Sequence, residues 1–538
     1  MADRLTTLQS LTKAFSSWRL AAVSLLSFSS GLPLGLILTA IPFWMDQEKI
    51  DIRSIGVITL AQAPYSFKFL WAPLMDRFAP RRGRKRLWIV IGQVMLAASV
   101  SGLALCTHRP TVGAIMVLAL LISFSSSTQD IAIDAYSVEV LRKDEQGLAV
   151  GSRIALYRAA MYVGGAVVIT IGPGIGWAVV FVALGLLFLL LVPVALLAPE
   201  PEVIPEPPRS LWAAIWEPFV GFFKHDSALQ IASFIFLYKL ADNVATALIR
   251  PFLSQQGFTA IDVGLAVGTI GLFATMAGSF GGGVLSDAWG LGRALWVFGI
   301  LQALAGGGYA IVAQVGMNRP LMYLAVALEM CVVGLGTGAF NVLLLRLTQR
   351  RFSATQYALL SSIFALGRTV AGPPAGTMVD AFGWRDFFLL TIPMAIPGLI
   401  MLHRFVPWGT REIPPFEEQV GQPAADRAPV SIPRLLVRGA VGALITMFLA
   451  YLANSALAAM RALRLNPAAG FDLGGTLAHI LHPQKATEYV DLFGPPVVGL
   501  VVGFGVAAYL AARYGILRAR SPASTVNPHH QRPPHPPA

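Results

Sequence analysis

A chain of 538 residues that is 55% hydrophobic and only 13% charged, with a mean hydropathy of +0.66, is not a soluble globular protein, which would carry about 25% charged residues. Its formal charge of +12 does not point to nucleic acid: Lys and Arg gather in short connections such as RFAPRRGRKR (77–86) and LRLTQRR (345–351), at the ends of apolar runs, as positive-inside topology requires. Cys106 and Cys331 are far apart and say nothing of a disulfide or metal, and the eight His lie outside the centres of the apolar runs, so no metal and no cofactor are expected.

Apolar runs of about 20 residues recur along the whole length, each long enough to cross a bilayer. The basic N-terminus leads into the first run without an A-x-A cleavage site, and reads as an uncleaved first helix. Fourteen spans are predicted, at about 19–43, 54–75, 87–106, 112–140, 150–171, 174–198, 228–251, 261–286, 291–313, 320–347, 355–379, 383–405, 435–460 and 493–517. With the N-terminus inside, Lys and Arg on the cytoplasmic side outnumber those outside about threefold, which places both termini in the cytoplasm. The lipid bilayer is therefore the first partner the sequence implies.

The first twelve spans divide into two halves of six, at 1–198 and 228–406. A Pro- and Glu-rich cytoplasmic linker, 199–227, separates them. Ala72-x-x-x-Asp76-Arg77 at the end of span two recurs 211 residues later as Gly283-x-x-x-Asp287, followed by Gly292-Arg293. Arg158 and Arg368 stand at a 210-residue offset in similar surroundings. Two matches at nearly one offset are what a duplicated six-helix unit predicts. The small residue lets two helices approach, while Asp76 and Asp287, with Arg77 and Arg293, can latch helix ends and so gate them. The segments AGSFGGG (277–283) and GLGTGAF (334–340) serve close helix packing rather than phosphate binding. IGPGIG (171–176) and AGPPAG (371–376) mark helix ends or kinks. Beyond the halves come a Pro-rich connector (407–434), two additional spans (435–517) whose periplasmic loop is long enough for a surface helix, and a low-complexity cytoplasmic tail (518–538) read as disordered.

Polar groups inside the spans are few. Span two holds Gln62, Tyr65 and Lys68; Lys68 either joins a site or snorkels to the cytoplasmic surface. Span four holds Thr128, Gln129, Asp130 and Asp134, the two acids four residues apart and so on one helix face. Each acid at a membrane-helix centre costs about 2.5–3.5 kcal/mol. Such a pair can hold and release a proton, or can be neutralised by cations on neighbouring helices. Arg158, Lys239 and Arg368 are the cations considered. Lys239 and Asp242 in span seven form either an internal ion pair or a site for a substrate carboxylate, and Arg offers a bidentate fork to the same group. Glu329 lies in the outer third of span ten, as an access-path charge or a site. Gln62, Tyr65 and Asn341 suit sugar recognition, which pairs amides with aromatic faces.

The small-x-x-x-Asp-basic loop resembles the signature loop of the major facilitator superfamily. The ordered set SGLPLG (30–35), KFLWAPLMDR (68–77), STQDIAIDA (127–135), YKLAD (238–242), FSATQYALLSS (352–362) and GR (367–368) resembles one family within it, the AmpG-type muropeptide permeases. The resemblance covers the twelve core spans and extends to the two extra ones. It implies an all-α polytopic major facilitator fold, two pseudo-symmetric six-helix bundles plus two extra C-terminal helices, in a bacterial inner membrane. It implies a monomeric, non-enzymatic importer of N-acetylglucosaminyl-anhydro-N-acetylmuramic acid and its peptide derivatives, driven by protons. In such folds helices one, four, seven and ten line the midplane site. That makes Asp130 and Asp134 the proton-coupling candidates. Thr128, Gln129, Lys239, Asp242, Arg158, Arg368, Tyr65, Gln62, Lys68 and Asn341 are the substrate-binding candidates. Acetyl-CoA transporters share the pattern more loosely, leaving an anionic metabolite as the alternative cargo. A membrane enzyme finds no support, with no HExxH and no nucleophile–His pairing.

Overall fold

The computed structural model describes residues 17–51, 59–80, 83–202, 204–224, 227–413, 430–465, 470–484 and 488–514. Most of the connector expected at 407–434 and all of the tail expected at 518–538 lie outside the described residues. The N-terminal half comprises α1 (Trp18–Gln47), α2 (59–77), α3 (Arg84–Cys106), α4 (Val112–Val140), α5 (Gln146–Ile175) and α6 (Trp177–Leu197). The C-terminal half comprises α7 (Ala228–Gln255), α8 (Ala260–Trp289), α9 (Leu291–Val315), α10 (Arg319–Arg346), α11 (353–382) and α12 (384–405). Two further helices follow, α13 (Ile432–Leu465) and α14 (Tyr489–Tyr514), with a short helix, Leu473–Leu481, between them. The chain is an all-α polytopic membrane protein of two six-helix bundles plus two helices.

Among the described residues, twelve stretches are long and apolar enough to cross a membrane. The second and eleventh predicted spans are not among them. Pro64 and Pro73 each sit in the first turn of a new short helix, so 59–77 is a chain of four pieces, and its start lies outside the described residues. Proline lacks the N–H that would continue the ladder. The eleventh helix, by contrast, runs through AGPPAG and breaks at Gly383, whose φ of 76° only glycine adopts readily. The segment 371–376 is therefore not a helix end. α4 stays unbroken for 29 residues because nothing after Gly113 interrupts it. α7 unwinds at Lys239, with φ −103° and ψ 0°.

The apolar core shows how the halves meet. One cluster joins both halves at the end carrying the basic loops 78–86 and 345–351, from Met75, Ile133 and Leu148 to Phe234, Leu343 and Tyr357. At the opposite end each half has its own cluster: Trp44, Val100 and Phe181 in one, Phe252, Tyr309 and Phe388 in the other. The halves are fused at the basic end and pack separately at the other.

Glycine makes the fusion possible. α5 crosses α8 so closely that a Cβ at Gly283 would collide with the Gly147 carbonyl, and one at Gly147 with the Gly283 carbonyl. α8 crosses α10 the same way, at Gly278 and Gly282 against the carbonyls of Cys331 and Leu335. Small-residue contacts of this kind substitute for the hydrophobic drive that lipid removes.

The linker contains a helix, Leu211–Phe223, capped by the Ser210 hydroxyl accepting from Ala213 N at 3.0 Å. Trp216 and Phe219 meet Phe504 of α14 edge-on, with centroids 5.0 and 4.7 Å apart. This helix joins the extra pair to the core, because the Gln356 amide of α11 donates to the Pro218 carbonyl at 2.9 Å.

Candidate functional site

Asp130 and Asp134 project from α4 toward α2 and α5, and each meets a cation there. Lys68 Nζ lies 2.6 Å from Asp130 and 3.5 Å from Asp134. Arg153 of α5 pairs with Asp134, and Ser30 of α1 donates to Asp130 at 3.1 Å. Among the described ion pairs two acids therefore face two cations, a balanced cluster of four charges. Lys68 does not snorkel: it is 9% exposed and spends its charge on the two acids. The short helical pieces of α2 set its position, since a straight helix would carry the ammonium elsewhere.

This cluster reaches the other half. The Arg153 guanidinium lies over the Tyr357 ring of α11, 6.0 Å from its centroid, and the Tyr357 hydroxyl donates to Asn341 Oδ1 of α10 at 3.3 Å. Asn341 Nδ2 in turn donates to the Thr337 carbonyl at 2.8 Å. Tyr65 donates to Ser126 at 2.7 Å, and Gln62 stands half-buried one turn earlier on α2. The remaining span-four candidates face sideways. Gln129 is fully buried and donates to Ser29 at 2.8 Å, while the Thr128 hydroxyl accepts from Trp71 at 3.2 Å.

The sequence named Arg158, Lys239 and Arg368 as counter-charges; Lys68 and Arg153 are the cations that meet the two acids. Lys239 lies in the other half, buried, and donates to Asp242 at 2.8 Å, to Gln302, and to the Val333 carbonyl at 3.3 Å. Arg158 is half-buried on α5. The Arg368 side chain lies outside the described residues. Arg153 went unnoticed because it stands early in span five, where a snorkelling arginine needs no explanation.

A second polar cluster lies beneath the basic end. Asp76 accepts from Ala354 N at 3.1 Å, Thr355 N at 2.8 Å, the Thr355 hydroxyl at 2.7 Å and Lys85 Nζ at 2.6 Å. Glu139 of α4 accepts from Arg84 at 3.1 Å and from the Ser353 hydroxyl at 2.7 Å. Across the pseudo-symmetry, Asp287 accepts from Gly147 N at 3.0 Å and Leu148 N at 2.9 Å. Each half thus offers a carboxylate to a helix N-terminus of the other, where free N–H groups and the helix dipole favour an anion. Arg346 adds a bond to Gln146 at 3.2 Å and an ion pair to Glu412 at 2.8 Å. Arg77 instead lies over the Phe78 ring, and Arg293 is exposed. Outside the membrane segments, Arg142 holds the exposed Glu202 carboxyl below its ordinary range, chiefly through a hydrogen bond.

The four helices that carry the four-charge cluster and its Tyr357 extension also carry this latch: α2 with Lys68 and Asp76, α4 with Asp134 and Glu139, α5 with Arg153 and the Gly147 N–H, α11 with Tyr357 and Ser353. Among the described residues no group of His, Cys, Asp and Glu could hold a metal ion.

Comparison with known proteins agrees with this architecture. Residues 23–372 match the family model of the Major Facilitator Superfamily. The chain is 38% identical over 393 residues to the anhydromuropeptide permease of Escherichia coli strain K12, covering 72% of this chain and 80% of that one. Among solved structures it resembles the proton:xylose symporter XylE, with a TM-score of 0.57, 12% identity, and 75% of this chain and 99% of that one covered. The human organic anion transporter MFSD10 (TETRAN) gives 0.56 at 13% identity, over 72% of this chain and 99% of that one. At such identities these two structures speak for the fold alone.

Proposed function

The chain belongs to the AmpG-type permease family of the major facilitator superfamily, and from that premise we propose that it imports anhydromuropeptides across a bacterial inner membrane by proton symport. The supporting observation is the balanced cluster of Lys68, Asp130, Asp134 and Arg153 beside the join between the halves. A muropeptide brings a lactyl or peptide carboxylate. When that anion takes Lys68 or Arg153 as partner, one cluster acid loses its counter-charge. A buried carboxylate without a partner costs several kcal/mol, and a proton removes that cost. Anion and proton then travel together as a neutral pair, which is symport.

Asp130 is the acid we assign to this exchange, since Lys68 and Ser30 hold it while Asp134 shares both cations. Tyr65, Gln62 and Asn341 supply the stacking and amide groups for the sugar. The latch of Asp76 and Asp287 closes the basic end, taken as cytoplasmic, while the separately packed ends face the periplasm. Rocking of the two halves exchanges that arrangement. The reverse state requires the latch to break, and the shared helices α2, α4, α5 and α11 connect its breaking to rearrangement of the charge cluster.

The test is uptake of labelled N-acetylglucosaminyl-anhydro-N-acetylmuramic acid into membrane vesicles, with and without a protonophore. Accumulation should collapse with the protonophore and with Asp130→Asn. Uptake indifferent to the protonophore would remove the proton, and saturable uptake of acetyl-CoA instead would favour the anionic-metabolite reading.

A further inference from the structure

The C-terminal half contains a second group of buried charges, in which the described residues supply two carboxyls and one cation. Lys239 and Asp242 of α7 neutralise one another at 2.8 Å. Glu329 of α10, 2% exposed, shares a small cavity with Asp242, and Tyr238, Gln302 and Thr391 are also on its wall. The cavity offers about 20 Å³ to the centre of a water-sized sphere, room for one water molecule. Glu329 Oε2 makes no hydrogen bond among the described residues, and no described cation pairs with it. Its polar neighbour is the Tyr309 hydroxyl of α9, itself without a well-formed hydrogen bond.

The described groups that line the cavity with Glu329 or neighbour it come from α7, α9 and α12. α7 contributes the Lys239–Asp242 pair and Tyr238, whose hydroxyl donates to the Leu295 carbonyl at 2.8 Å. α9 contributes Tyr309 and the neutral Gln302, which is held by Lys239 and the Phe298 carbonyl. α12 contributes Thr391, which donates to the Phe388 carbonyl at 2.7 Å. Among the described residues one cation, Lys239, thus stands among two carboxyls. In the N-terminal cluster two cations stand among two carboxyls. An uncompensated carboxylate in this setting costs several kcal/mol, and Lys239, the described cation of the group, pairs with Asp242.

We propose that Glu329 is a proton-binding site of the C-terminal half, distinct from the four-charge cluster and serving as a second coupling site. Hydronium reaching the cavity transfers its proton to Oε2, leaving water and a neutral carboxylic acid that can donate to Asp242 or Tyr309. When the halves rock and water enters from the basic side, the proton passes to that water and the carboxylate reforms. The use of this site in transport rests on the symport reading; the binding of the proton does not.

The experiment uses full-length protein in proteoliposomes, comparing wild type, Glu329→Gln and Asp130→Asn. Infrared pH-difference spectra should show a protonated carboxyl at neutral pH that disappears in Glu329→Gln and persists in Asp130→Asn. The Gln amide mimics the neutral acid, so thermal stability should hold, which a structural ion-pair role would not allow. Under a gradient of one pH unit, loss of one coupled proton lowers the limiting accumulation of labelled disaccharide about tenfold, since one unit is tenfold in proton activity. Downhill exchange should continue. A carboxyl band unchanged by Glu329→Gln overturns the site, and a lost band with unchanged accumulation overturns its coupling role. If wild-type uptake ignores the pH gradient, the symport reading fails and the band alone decides whether Glu329 binds the proton.

Discussion

Asp76 and Thr355, 279 positions apart, are joined by two hydrogen bonds of 2.8 and 2.7 Å to one carboxylate oxygen. The backbone N–H and the side-chain hydroxyl of a single threonine both address it, while Ala354 and Lys85 hold the other oxygen. A carboxylate is the natural acceptor for this set, because all four donors converge on it and one is cationic.

Asp76→Asn keeps the shape but removes the charge and turns an NH2 group toward existing donors. The closed basic end should lose about 1.5–3 kcal/mol, the worth of hydrogen bonds to a charged group. A cysteine placed at the buried Ser286, with Cys106 and Cys331 replaced by Ser, should react with a maleimide from the basic side roughly 10–100-fold faster in that variant. Thr355→Val should produce a smaller increase. Equal labelling in all three would mean that the join does not depend on this carboxylate.

The balanced cluster predicts a compensation. Lys68→Met leaves two acids sharing Arg153, and breaking a buried pair from one side costs about 3–5 kcal/mol. The double variant Lys68→Met with Asp130→Asn restores neutrality, and should melt closer to wild type than Lys68→Met alone. Thermal unfolding in detergent measures both. Additive losses would show that the two residues act independently.

Crossing geometry can be probed on one helix. Gly283→Ala drives a methyl into the Gly147 carbonyl, whereas a methyl at Gly281 would stand at an ordinary 3.5 Å from a Leu335 side-chain carbon. Overpacking of this kind costs about 1–3 kcal/mol. Gly283→Ala should therefore lower stability and speed labelling of the Ser286→Cys probe, while Gly281→Ala should change neither. Ala is the better helix former, so a loss shared equally by both would show only that the effect does not come from this crossing.

The linker helix and α14 should be coupled through Phe504. Trp216→Ala in the full chain removes an edge-on aromatic contact worth about 0.5–1.5 kcal/mol beyond its buried area. In a chain ending before residue 430, Phe504 is gone, and the same substitution should cost markedly less. Unequal melting-point changes in the two backgrounds measure the coupling; equal ones would show that the extra helices do not dock there.

The pairing at Asp76 and its counterpart at Asp287 also show where sequence reading succeeds. The recurrence of a small residue four positions before an acid and a basic loop was legible, because the duplication preserves spacing along the chain. What the acids bind was not. The backbone N–H groups of Ala354 and Gly147 carry no side-chain signature, so the helix N-termini that receive the two carboxylates leave no mark on the sequence. Lys85 and Arg84 sat inside a basic run that topology already explained, and Glu139 sat at a helix end that made it unremarkable.

By itself the sequence determined the membrane class, the duplicated halves, the two extra helices and the presence of paired acids on one face of α4. Those follow from apolar run length, charge placement and helical periodicity, which are local properties of the chain. Only the tertiary structure decided that Lys68 and Arg153 meet the pair, that Lys239 joins Asp242, and that Glu329 has no counter-charge among the described residues. Which charges meet depends on how helices cross and where they break, at Pro64 and Pro73 in α2, at Lys239 in α7 and at the Gly147–Gly283 contact. A turn of a few degrees at such a point moves a long side chain from one partner to another.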